Sequence, residues 1–473
     1  MSAPFPAVPA LLLAAALLGG CTLQHIPPEP LTPEATAGAL TARTLQDEGL
    51  RRFLAENVPA AAAAWPRTSW DFESLAWVAF YYHPSLEVAR AQWQAARAAV
   101  TTAAAYPNPT LALTPGYNTN PAAGLSPWFP AIAADFLIDT SHKRDQLEAV
   151  GKQSAEAARQ DAVGAAWKVR RDLRQALAEL AAAQARQAAL AAQSEIQWRV
   201  LELMDQRLAG GAISTAELSS TRVALAQAES QVAEARQQLP VARQHVAQAL
   251  GISAEAVRDL DFVATPPSAP LEDSTFKAAR RIALQTRSDV RAALARYEAA
   301  EATLSLELSR QYPDLHLGPG YQWDQGADKW SLGVTLDLPV FNRNEGPIAE
   351  AVAKRQEAAA NVLAAQAGAI AEIDAAAAGQ AAAADRIVAL NRVQEELQRQ
   401  QASLRARLAA GAASQLEVRT VELDLATSRV ALADAESQAA AAAGQLEDAL
   451  QVPFPRLETL LTASRARVTS SPP

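Results

Sequence analysis

Apolar and polar residues alternate with a period of two in one stretch of the chain, WSLGVTLDL at residues 330–338. Its even positions are all apolar: Trp330, Leu332, Val334, Leu336 and Leu338. Its odd positions are polar or small. About nine alternating residues make a transmembrane β-strand, which contacts lipid on one face and water on the other. The pattern therefore predicts a membrane strand whose five apolar side chains face lipid.

The same kind of alternation occurs in residues 315–323 and 111–118, and a weaker one in residues 128–138. Several aromatic residues lie near the strand ends, as in the girdles of outer-membrane barrels: Trp128, Tyr321, Trp323 and Trp330. A buried sandwich could also alternate, but it would need more than four strands. We therefore expect two membrane-embedded strand pairs, at about 110–139 and 314–339. The first pair is rich in proline, so its register stays open.

Four strands cannot close a barrel, and open sheet edges are not tolerated in lipid. The chain must therefore combine with further copies of itself. Two copies would supply eight strands and three would supply twelve. The interior of an eight-stranded barrel is filled by side chains, so a lumen needs the wider barrel.

The remaining pattern is helical. Residues 142–209 and 348–409 contain no proline, and helices of these lengths would span roughly 100 Å and 93 Å. Apolar residues then recur every seven positions, which is typical of supercoiled helices: Leu218, Leu225, Val232, Leu239 and Val246 in one arm, and Val418, Leu425, Leu432, Ala439 and Leu446 in the other. A long antiparallel coiled coil without a channel would show the same pattern, so the helices alone leave the function open.

The chain contains the same unit twice. LAGGAISTAEL at residues 208–218 matches LAAGAASQLEV at 408–418, and YPNPTL at 106–111 matches YPDLHL at 312–317. We expect one repeat at 71–265 and a second at 266–455, each with a helix, two strands and a long helical hairpin. The fold is thus predicted to be mainly α, with a small β part.

Each hairpin has a short tip, at about 208–214 and 408–414. Glycine suits a helix C-terminus, and the motif S-x-x-E after it forms a capping box that starts the next helix. The tips are candidate docking surfaces for another protein, although any helical turn needs glycine and serine. The candidate docking residues are Arg207, Gly211, Ser214, Arg407, Gly411 and Ser414.

The N-terminus predicts export and lipidation. Residues 10–21, ALLLAAALLGGC, form an apolar run of signal-peptide length that ends at the single cysteine, Cys21. We expect a signal peptide over 1–20, a covalent lipid on Cys21 and a proline-rich tether over 21–70. Thr22 follows the cysteine, which favours the outer membrane. An ordinary signal peptide is the alternative, since no Lys or Arg precedes the apolar run. Residues 456–473 form a C-terminal tail.

Charge and composition narrow the class of protein. Half of the residues are apolar but 5% are aromatic, and the net charge is −9. Without a basic stripe, nucleic-acid binding is not expected. The five histidines are scattered and suit no metal-ligand set, so we expect neither an enzyme nor a cofactor other than the lipid. Acidic rings near a narrow pore would favour cations, and the candidate lumen or gate acids are Glu217, Glu417, Glu422 and Asp424; capping or solvated faces are the alternative.

Three features together resemble the TolC family of outer-membrane efflux proteins over roughly residues 70–455. They are residues 83–109, LDLPVFNRNEG at 336–346, and the paired turns RLAGGAIS and RLAAGAAS. The resemblance implies a homotrimer with a twelve-stranded barrel in outer-membrane lipid and a twelve-helix periplasmic tunnel. It also implies docking of the tips, at Arg207, Gly211, Arg407 and Gly411, to a periplasmic adaptor (membrane fusion) protein. That adaptor would join an inner-membrane pump of the resistance-nodulation-division or a related class. After the strands of the first repeat, LIDTSHKRDQ at residues 137–146 lacks the FNRN found at residues 341–344 of the second repeat. The register of the first strand pair therefore stays open.

The expected function is therefore an outer-membrane exit duct of a tripartite efflux pump that exports drugs, metal ions or other small solutes. The alternative is a lipid-anchored periplasmic coiled-coil adaptor or scaffold without a pore. Such a protein would need compact β domains and would lack the alternating face of residues 330–338.

Overall fold

The computed structural model describes residues 26–59, 65–262 and 272–451. The predicted signal peptide, the lipid site at Cys21 and the C-terminal tail lie outside the described residues. The chain divides into two units, residues 1–43 and 44–473. In the first unit helix α1 (Pro33–Thr41) has its proline at the first helical position, where the missing N–H costs no hydrogen bond.

The second unit contains both predicted repeats. Before and within the first repeat lie α2 (Glu48–Asn57), β1 (Ser69–Trp70), α3 (Phe72–Tyr82), α4 (Pro84–Ala103), β2 (Thr110–Thr114), β3 (Ala131–Ile138), α5 (Lys143–Ala209), α6 (Thr215–Leu250), a 3-10 turn (Glu255–Val257) and β4 (Asp261–Phe262). The second repeat has α7 (Asp273–Thr286), α8 (Ser288–Ser309), β5 (Leu315–Asp324), β6 (Ala327–Leu336), α9 (Glu345–Ala409) and α10 (Gln415–Leu450). The order of helix, strand pair, long helix and hairpin agrees with the predicted mainly helical fold.

The long helices α5 and α9 have 67 and 65 residues, which gives each a length of roughly 100 Å. Both are rich in alanine, which has the highest helix propensity. α5 contains no proline, and the one proline of α9, Pro347, lies in its first turn, where its missing N–H costs no intrahelical hydrogen bond. The first backbone N–H groups of a helix have no acceptor within the helix, and side chains of preceding residues accept their hydrogen bonds. Asp47 accepts the N–H of Leu50 at 2.8 Å, and Asp71 accepts that of Ser74 at 2.7 Å.

The helices pack side by side in two sets. Around the strand-proximal half of α5 the order is α4, α5, α8, α9, and around its tip-proximal half the order is α6, α5, α10, α9. Eight of the ten residues of the period of seven are buried in these contacts, and Leu239 and Leu432 are half-buried. The buried ones are Leu218, Leu225, Val232, Val246, Val418, Leu425, Ala439 and Leu446. Coiled-coil packing of the hairpins is thus as the sequence predicts.

Where α6 ends, it abuts the turn between α3 and α4. Gly251 has φ of 73° and closes the helix. A Cβ atom there would lie 2.9 Å from the carbonyl oxygen of Tyr82, so glycine is required for both conformation and space. In the second repeat α10 ends at Gln451 beside the start of α8. The Gln451 Oε1 atom accepts the N–H of Ser288 at 3.0 Å and its hydroxyl at 2.9 Å.

The largest group of buried apolar side chains lies where α3 packs against α5 and α6. It includes Leu75, Val78, Leu173, Leu177, Val246 and Leu250. The corresponding group in the second repeat is smaller: Ala283, Ile373, Ala376, Leu446, Ala449 and Leu450. The short strands β1 and β4 pair in parallel beside the first group, a feature that the sequence pattern did not indicate.

The other four strands form one antiparallel sheet in the order β2, β3, β5, β6. A two-residue turn joins β5 to β6, with φ of 52° at Gln325 and 95° at Gly326, as a type I′ hairpin requires. Because the turn is this short, β6 already starts at Ala327. It ends at Leu336, whereas the alternation predicts a strand over 330–338. Leu338 therefore lies beyond the strand, directly before Pro339.

Candidate functional site

The strand register brings the alternating residues of both repeats onto one face. Opposite residues of an antiparallel pair share a face. Leu317 lies opposite both Phe136 on β3 and Val334 on β6. Ile132 likewise lies opposite Leu113 and Tyr321. All four strands thus contribute apolar side chains to one face, including those of the proline-rich first pair, whose register the sequence left open.

The apolar face is exposed. The five residues singled out by the sequence have these exposed fractions: Trp330 81%, Leu332 65%, Val334 56%, Leu336 43% and Leu338 69%. A contiguous apolar surface of this kind marks a site of contact with a membrane or another protein. The assignment of these five residues to lipid stays a prediction.

The opposite face consists mainly of polar and small residues, with Leu137, opposite His316, as an apolar exception. His316 Nδ1 lies 2.9 Å from Asp135 Oδ2 across β5 and β3. Gly318 lies opposite Gly333, and Gly320 lies opposite Ser331. This face offers small and polar groups, which suits contact with water.

Aromatic pairs occupy corresponding places in the two hairpins. The ring centroids of Tyr117 and Trp128 are 4.9 Å apart, and those of Tyr321 and Trp330 are 4.8 Å apart. Both pairs lie toward the end of the sheet farther from the long helices. This position matches an aromatic girdle at a membrane boundary.

The connections from sheet to helix are equivalent although their sequences differ. His142 precedes α5 with φ of 57°, and Asn344 precedes α9 with φ of 62°. Asparagine and histidine both adopt this left-handed conformation more readily than most residues. The Asn344 side chain donates to the carbonyl oxygen of Glu307 at 2.8 Å. The departure of LIDTSHKRDQ from FNRN therefore leaves the geometry of the junction unchanged.

The two helical tips have the same backbone. Gly211 and Gly411 have φ of 76° and 71°. In each tip one backbone hydrogen bond closes the turn. The N–H of Ala212 donates to the carbonyl oxygen of Arg207, and that of Ala412 donates to the carbonyl oxygen of Arg407, both at 2.8 Å. The glycines and serines are thus explained by the turn itself. The side chains of Arg207 and Arg407 are exposed, and their docking role stays a prediction.

Two of the candidate acids have a structural task. Glu217 accepts the N–H of Ser214 at 2.7 Å, and Glu417 accepts that of Ser414 at 2.6 Å. These backbone hydrogen bonds, and next those to the serine hydroxyls, lower the pKa of both carboxyls. Both glutamates complete capping boxes. A lumen role for them would come in addition to capping.

The other two acids differ in burial. Burial alone would raise the pKa of Glu422, but hydrogen bonds from Arg405 and Arg419 lower it below its ordinary value. The distances from the Glu422 carboxylate to those guanidinium groups are 2.7 Å and 2.6 Å. Asp424 is exposed. Through Arg405, Glu422 thus connects α10 to α9 close to the tip. Arg419 lies three residues before Glu422, and this spacing in the sequence favours an ion pair on one helix face.

Sequence reasoning missed a second charged cluster, far from the tips. Arg170 and Arg287 are each 4% exposed, and Asp448 is 8% exposed. Apart from Asp289, which lies two residues after Arg287, their partners lie on other helices and up to 278 residues away in sequence. Local spacing therefore does not indicate the cluster. Within the described ranges, no group of three or more His, Cys, Asp or Glu residues could hold a metal ion.

Comparison with known proteins agrees with these features. The chain is 29% identical to the cobalt-zinc-cadmium resistance protein CzcC of Cupriavidus metallidurans over 238 residues, which cover 48% of this chain and 54% of that protein. The match thus spans about half the length of this relative.

Solved structures share the fold. The outer membrane protein VceC of Vibrio cholerae superposes with a TM-score of 0.66 at 22% identity, covering 81% of this chain and 96% of VceC. The CmeC outer membrane channel of Campylobacter jejuni superposes with a TM-score of 0.66 at 15% identity, covering 93% and 98%.

The family comparison covers both repeats. The family described as "Outer membrane efflux protein" matches residues 79–252 and 279–451, which lie within the two repeats expected from the sequence and make up most of the chain. The duplicated hairpins, the one-sided apolar sheet and this double match lead to one conclusion: the chain belongs to the outer membrane efflux protein family.

Proposed function

We propose that three copies of this chain form an exit duct, with a twelve-stranded barrel in the outer membrane and a helical tunnel in the periplasm. One observation carries the proposal: the register places apolar side chains of all four strands on a single exposed face. That face suits lipid and the polar face suits a water-filled lumen. Membership of the family places the protein in the outer membrane, from which it extends into the periplasm.

The two edges of the chain support closure into a ring. The sheet ends at β2 on one side and at β6 on the other. The helices follow the same order, with α4 and α6 at the β2 side and α9 at the β6 side. One copy's β6 and α9 can therefore meet the next copy's β2, α4 and α6, which is a head-to-tail contact that generates a ring.

The edge helices also expose apolar residues that a neighbouring copy would cover. On α9, Leu363 is 67% exposed and Val388 is 50% exposed. On α6, Val223 and Val241 are exposed by 57% and 52%. An alanine-rich window of α9 reaches a mean hydropathy of 1.2, and by length and composition alone this is the single helix of the described residues that could cross a membrane. Close packing against the next copy accounts for the same composition without a membrane.

A ring with an open lumen needs more than two copies. Two copies would supply eight strands, and the interior of such a barrel is filled by side chains. Three copies supply twelve strands and leave a lumen lined by the glycines and polar groups of β5 and β6. In a duct of this kind the protein performs no chemistry, and its partners supply the energy.

The partners and the cargo follow from the tips and from the relatives. The exposed tips around Arg207 and Arg407 lie at the far end of the hairpins from the sheet, where they would contact a periplasmic adaptor joined to an inner-membrane pump of the resistance-nodulation-division or a related class. CzcC is named for resistance to cobalt, zinc and cadmium. We propose metal ions as one cargo, with drugs or other small solutes as others, and a lipid on Cys21 as an additional anchor.

The test separates the duct from a lipid-anchored periplasmic scaffold. Residues 1–21 are replaced by a cleavable secretory signal, so that the mature protein has no lipid. We expect a trimer that needs detergent for solubility and that forms ion-conducting channels in planar lipid bilayers. A monomer that is soluble without detergent and gives no conductance would establish the scaffold instead.

A further inference from the structure

The last helix of each repeat, α6 or α10, ends against helices from the start of that repeat. We call this contact the junction of the repeat, and it differs between the two repeats. In the first repeat the end of α6 packs tightly against Tyr82 through Gly251, next to the large apolar group. In the second repeat the end of α10 reaches Ser288 through the side chain of Gln451. A cavity of about 400 Å³ opens there, lined by charged residues of α5, α8, α9 and α10. The second junction is therefore polar where the first is apolar.

Arginines tie this junction to both repeats. Arg170 on α5 lies 2.8 Å from Glu73 on α3 and 2.6 Å from Glu447 on α10. Arg287 at the start of α8 lies 2.8 Å from Asp289 and 2.6 Å from Glu372 on α9. It also donates to the carbonyl oxygen of Ala449 near the end of α10. The cluster thus joins α3 and α5 of the first repeat to α8, α9 and α10 of the second.

The charges of the cluster do not balance. Four arginines, Arg170, Arg171, Arg174 and Arg287, face five carboxyls, Glu73, Asp289, Glu372, Glu447 and Asp448. The nearby charged residues form pairs that cancel, Lys168 with Asp172 and Asp161 with Arg296. With every group ionised the cluster has one negative charge in excess. One bound proton would make it neutral.

Asp448 is the carboxyl best placed to take that proton. Its side chain is 6% exposed, whereas the other four carboxyl side chains are 42–56% exposed. Its two contacts with arginine are 3.4 Å to Arg170 Nη1 and 3.5 Å to Arg174 Nε, whereas each of the other four carboxyls has an arginine nitrogen within 2.6–2.8 Å. A buried carboxylate with long contacts is poorly compensated for the water that it has lost.

We propose that Asp448 is a proton-operated latch that holds α10 of the second repeat against α3 and α5 of the first. When Asp448 is neutral, Arg170 pairs with Glu73 and Glu447, Arg174 pairs with Glu447, and the charges of the cluster balance. When Asp448 loses its proton, a poorly compensated negative charge remains at the contact, which weakens the packing of α10 against α5. The latch does not depend on whether the chain forms a duct.

The direction of the pH dependence follows from burial. Burial raises the pKa of Asp448 from 3.8 to about 6; Arg174, Arg170 and Arg171 oppose this and Glu447 adds to it. The folded chain therefore holds this proton more tightly than the unfolded chain does. Its contribution to the free energy of unfolding is fully present below pH 3.8 and is lost as the pH rises through about 6.

The test uses the full-length protein in detergent. The infrared difference spectrum between pH 5 and pH 7 should contain the C=O stretching band of a buried protonated carboxyl, with a midpoint near pH 6. Asp448→Asn should abolish this band. Asp434→Asn on the same helix, whose carboxyl lies 3.1 Å from Arg186 at the surface, should retain it. In parallel, the Tm of the wild type and of the Asp434→Asn control should fall between pH 4.5 and pH 7.5, while that of Asp448→Asn should stay constant over this range.

Each outcome decides the proposal. A band that persists in Asp448→Asn assigns the proton elsewhere and overturns it, as does a Tm that falls equally in this variant. If Asp448→Asn does not fold, Asp448→Glu keeps the carboxyl and should shift the midpoint of the band, and an unchanged spectrum overturns the latch. Neither measurement involves conductance, so failure of the latch is distinguishable from failure of the duct.

Discussion

Leu317 and Val334 lie directly opposite each other in the β5–β6 hairpin, on the face that also carries Phe136. The next residue along β6, Thr335, lies opposite His316 on the polar face. Two neighbouring positions of one strand thus sample the two proposed environments. This adjacency makes a matched pair of substitutions possible.

We expect Val334→Arg to impair assembly in the outer membrane. An arginine on the lipid face of a barrel costs about 2 kcal/mol or more toward the bilayer midplane, because its charge loses hydration. Thr335→Arg, the control, places the same side chain on the face that we propose lines the lumen and should assemble at near the wild-type level. The yield of trimer extracted from outer membranes measures both. Equal yields for the two variants would contradict the assigned orientation of the sheet.

The glycines of the tips lead to a second prediction. Gly411 has φ of 71°, so Gly411→Ala should destabilise the tip of the second hairpin by about 1 kcal/mol. Gly210→Ala is the control in the other tip, because Gly210 has φ of −84° and the second repeat already has Ala410 at the corresponding position. Amide hydrogen exchange at residues 405–418 should accelerate in Gly411→Ala. Exchange at residues 205–218 should stay unchanged in Gly210→Ala. Similar exchange in both would show that the left-handed residue does not set the turn.

The sequence predicted the features that depend on neighbouring residues of one segment, namely the alternation of the strands and the capping motifs of the helices. The period of two in β6 reflects different surroundings on the two faces of the strand. The S-x-x-E motifs at Ser214 and Ser414 reflect the need of a helix start for hydrogen-bond acceptors. Both patterns involve residues close together in the chain, so they can be read from a single sequence.

Features that depend on distant partners could not be predicted. Arg170 looks like any solvated residue of an alanine-rich helix, and its burial depends on Glu73, Glu447 and Asp448 from other elements. The equivalence of His142 and Asn344 was also hidden, because different side chains adopt the same left-handed conformation. The end of β6 was misplaced because alternation continues past the last ladder residue as far as Leu338.

Glu422 provides a third prediction. Glu422→Gln keeps the size of the side chain but removes the charge that Arg405 and Arg419 contact. Loss of these charge-assisted hydrogen bonds should cost about 1–3 kcal/mol and loosen α9 from α10 near the tip. Asp424→Asn, at an exposed position two residues along, is the control and should change stability by less than about 0.5 kcal/mol. Thermal unfolding gives the stability, and the open probability in planar bilayers shows whether Glu422 also restrains a gate.

A matching loss of stability with an unchanged open probability would assign Glu422 a purely structural role. An increased open probability in Glu422→Gln alone would support the gate. If both variants unfold like the wild type, the ion pairs at Glu422 contribute nothing measurable to stability, and the cost of removing water from its carboxylate offsets the attraction of the two arginines.

The tight junction of the first repeat gives the last prediction. Gly251→Ala adds a Cβ atom 2.9 Å from the Tyr82 carbonyl oxygen at a residue with φ of 73°. Overpacking and the left-handed backbone together should lower the free energy of unfolding by about 2–4 kcal/mol. Gly368→Ala in α9, where nothing lies within 4 Å of the added atom, is the control and should be neutral or slightly stabilising. Thermal unfolding of both variants measures the difference, and a Gly251→Ala protein as stable as the Gly368→Ala protein would show that the end of α6 can withdraw from the turn between α3 and α4.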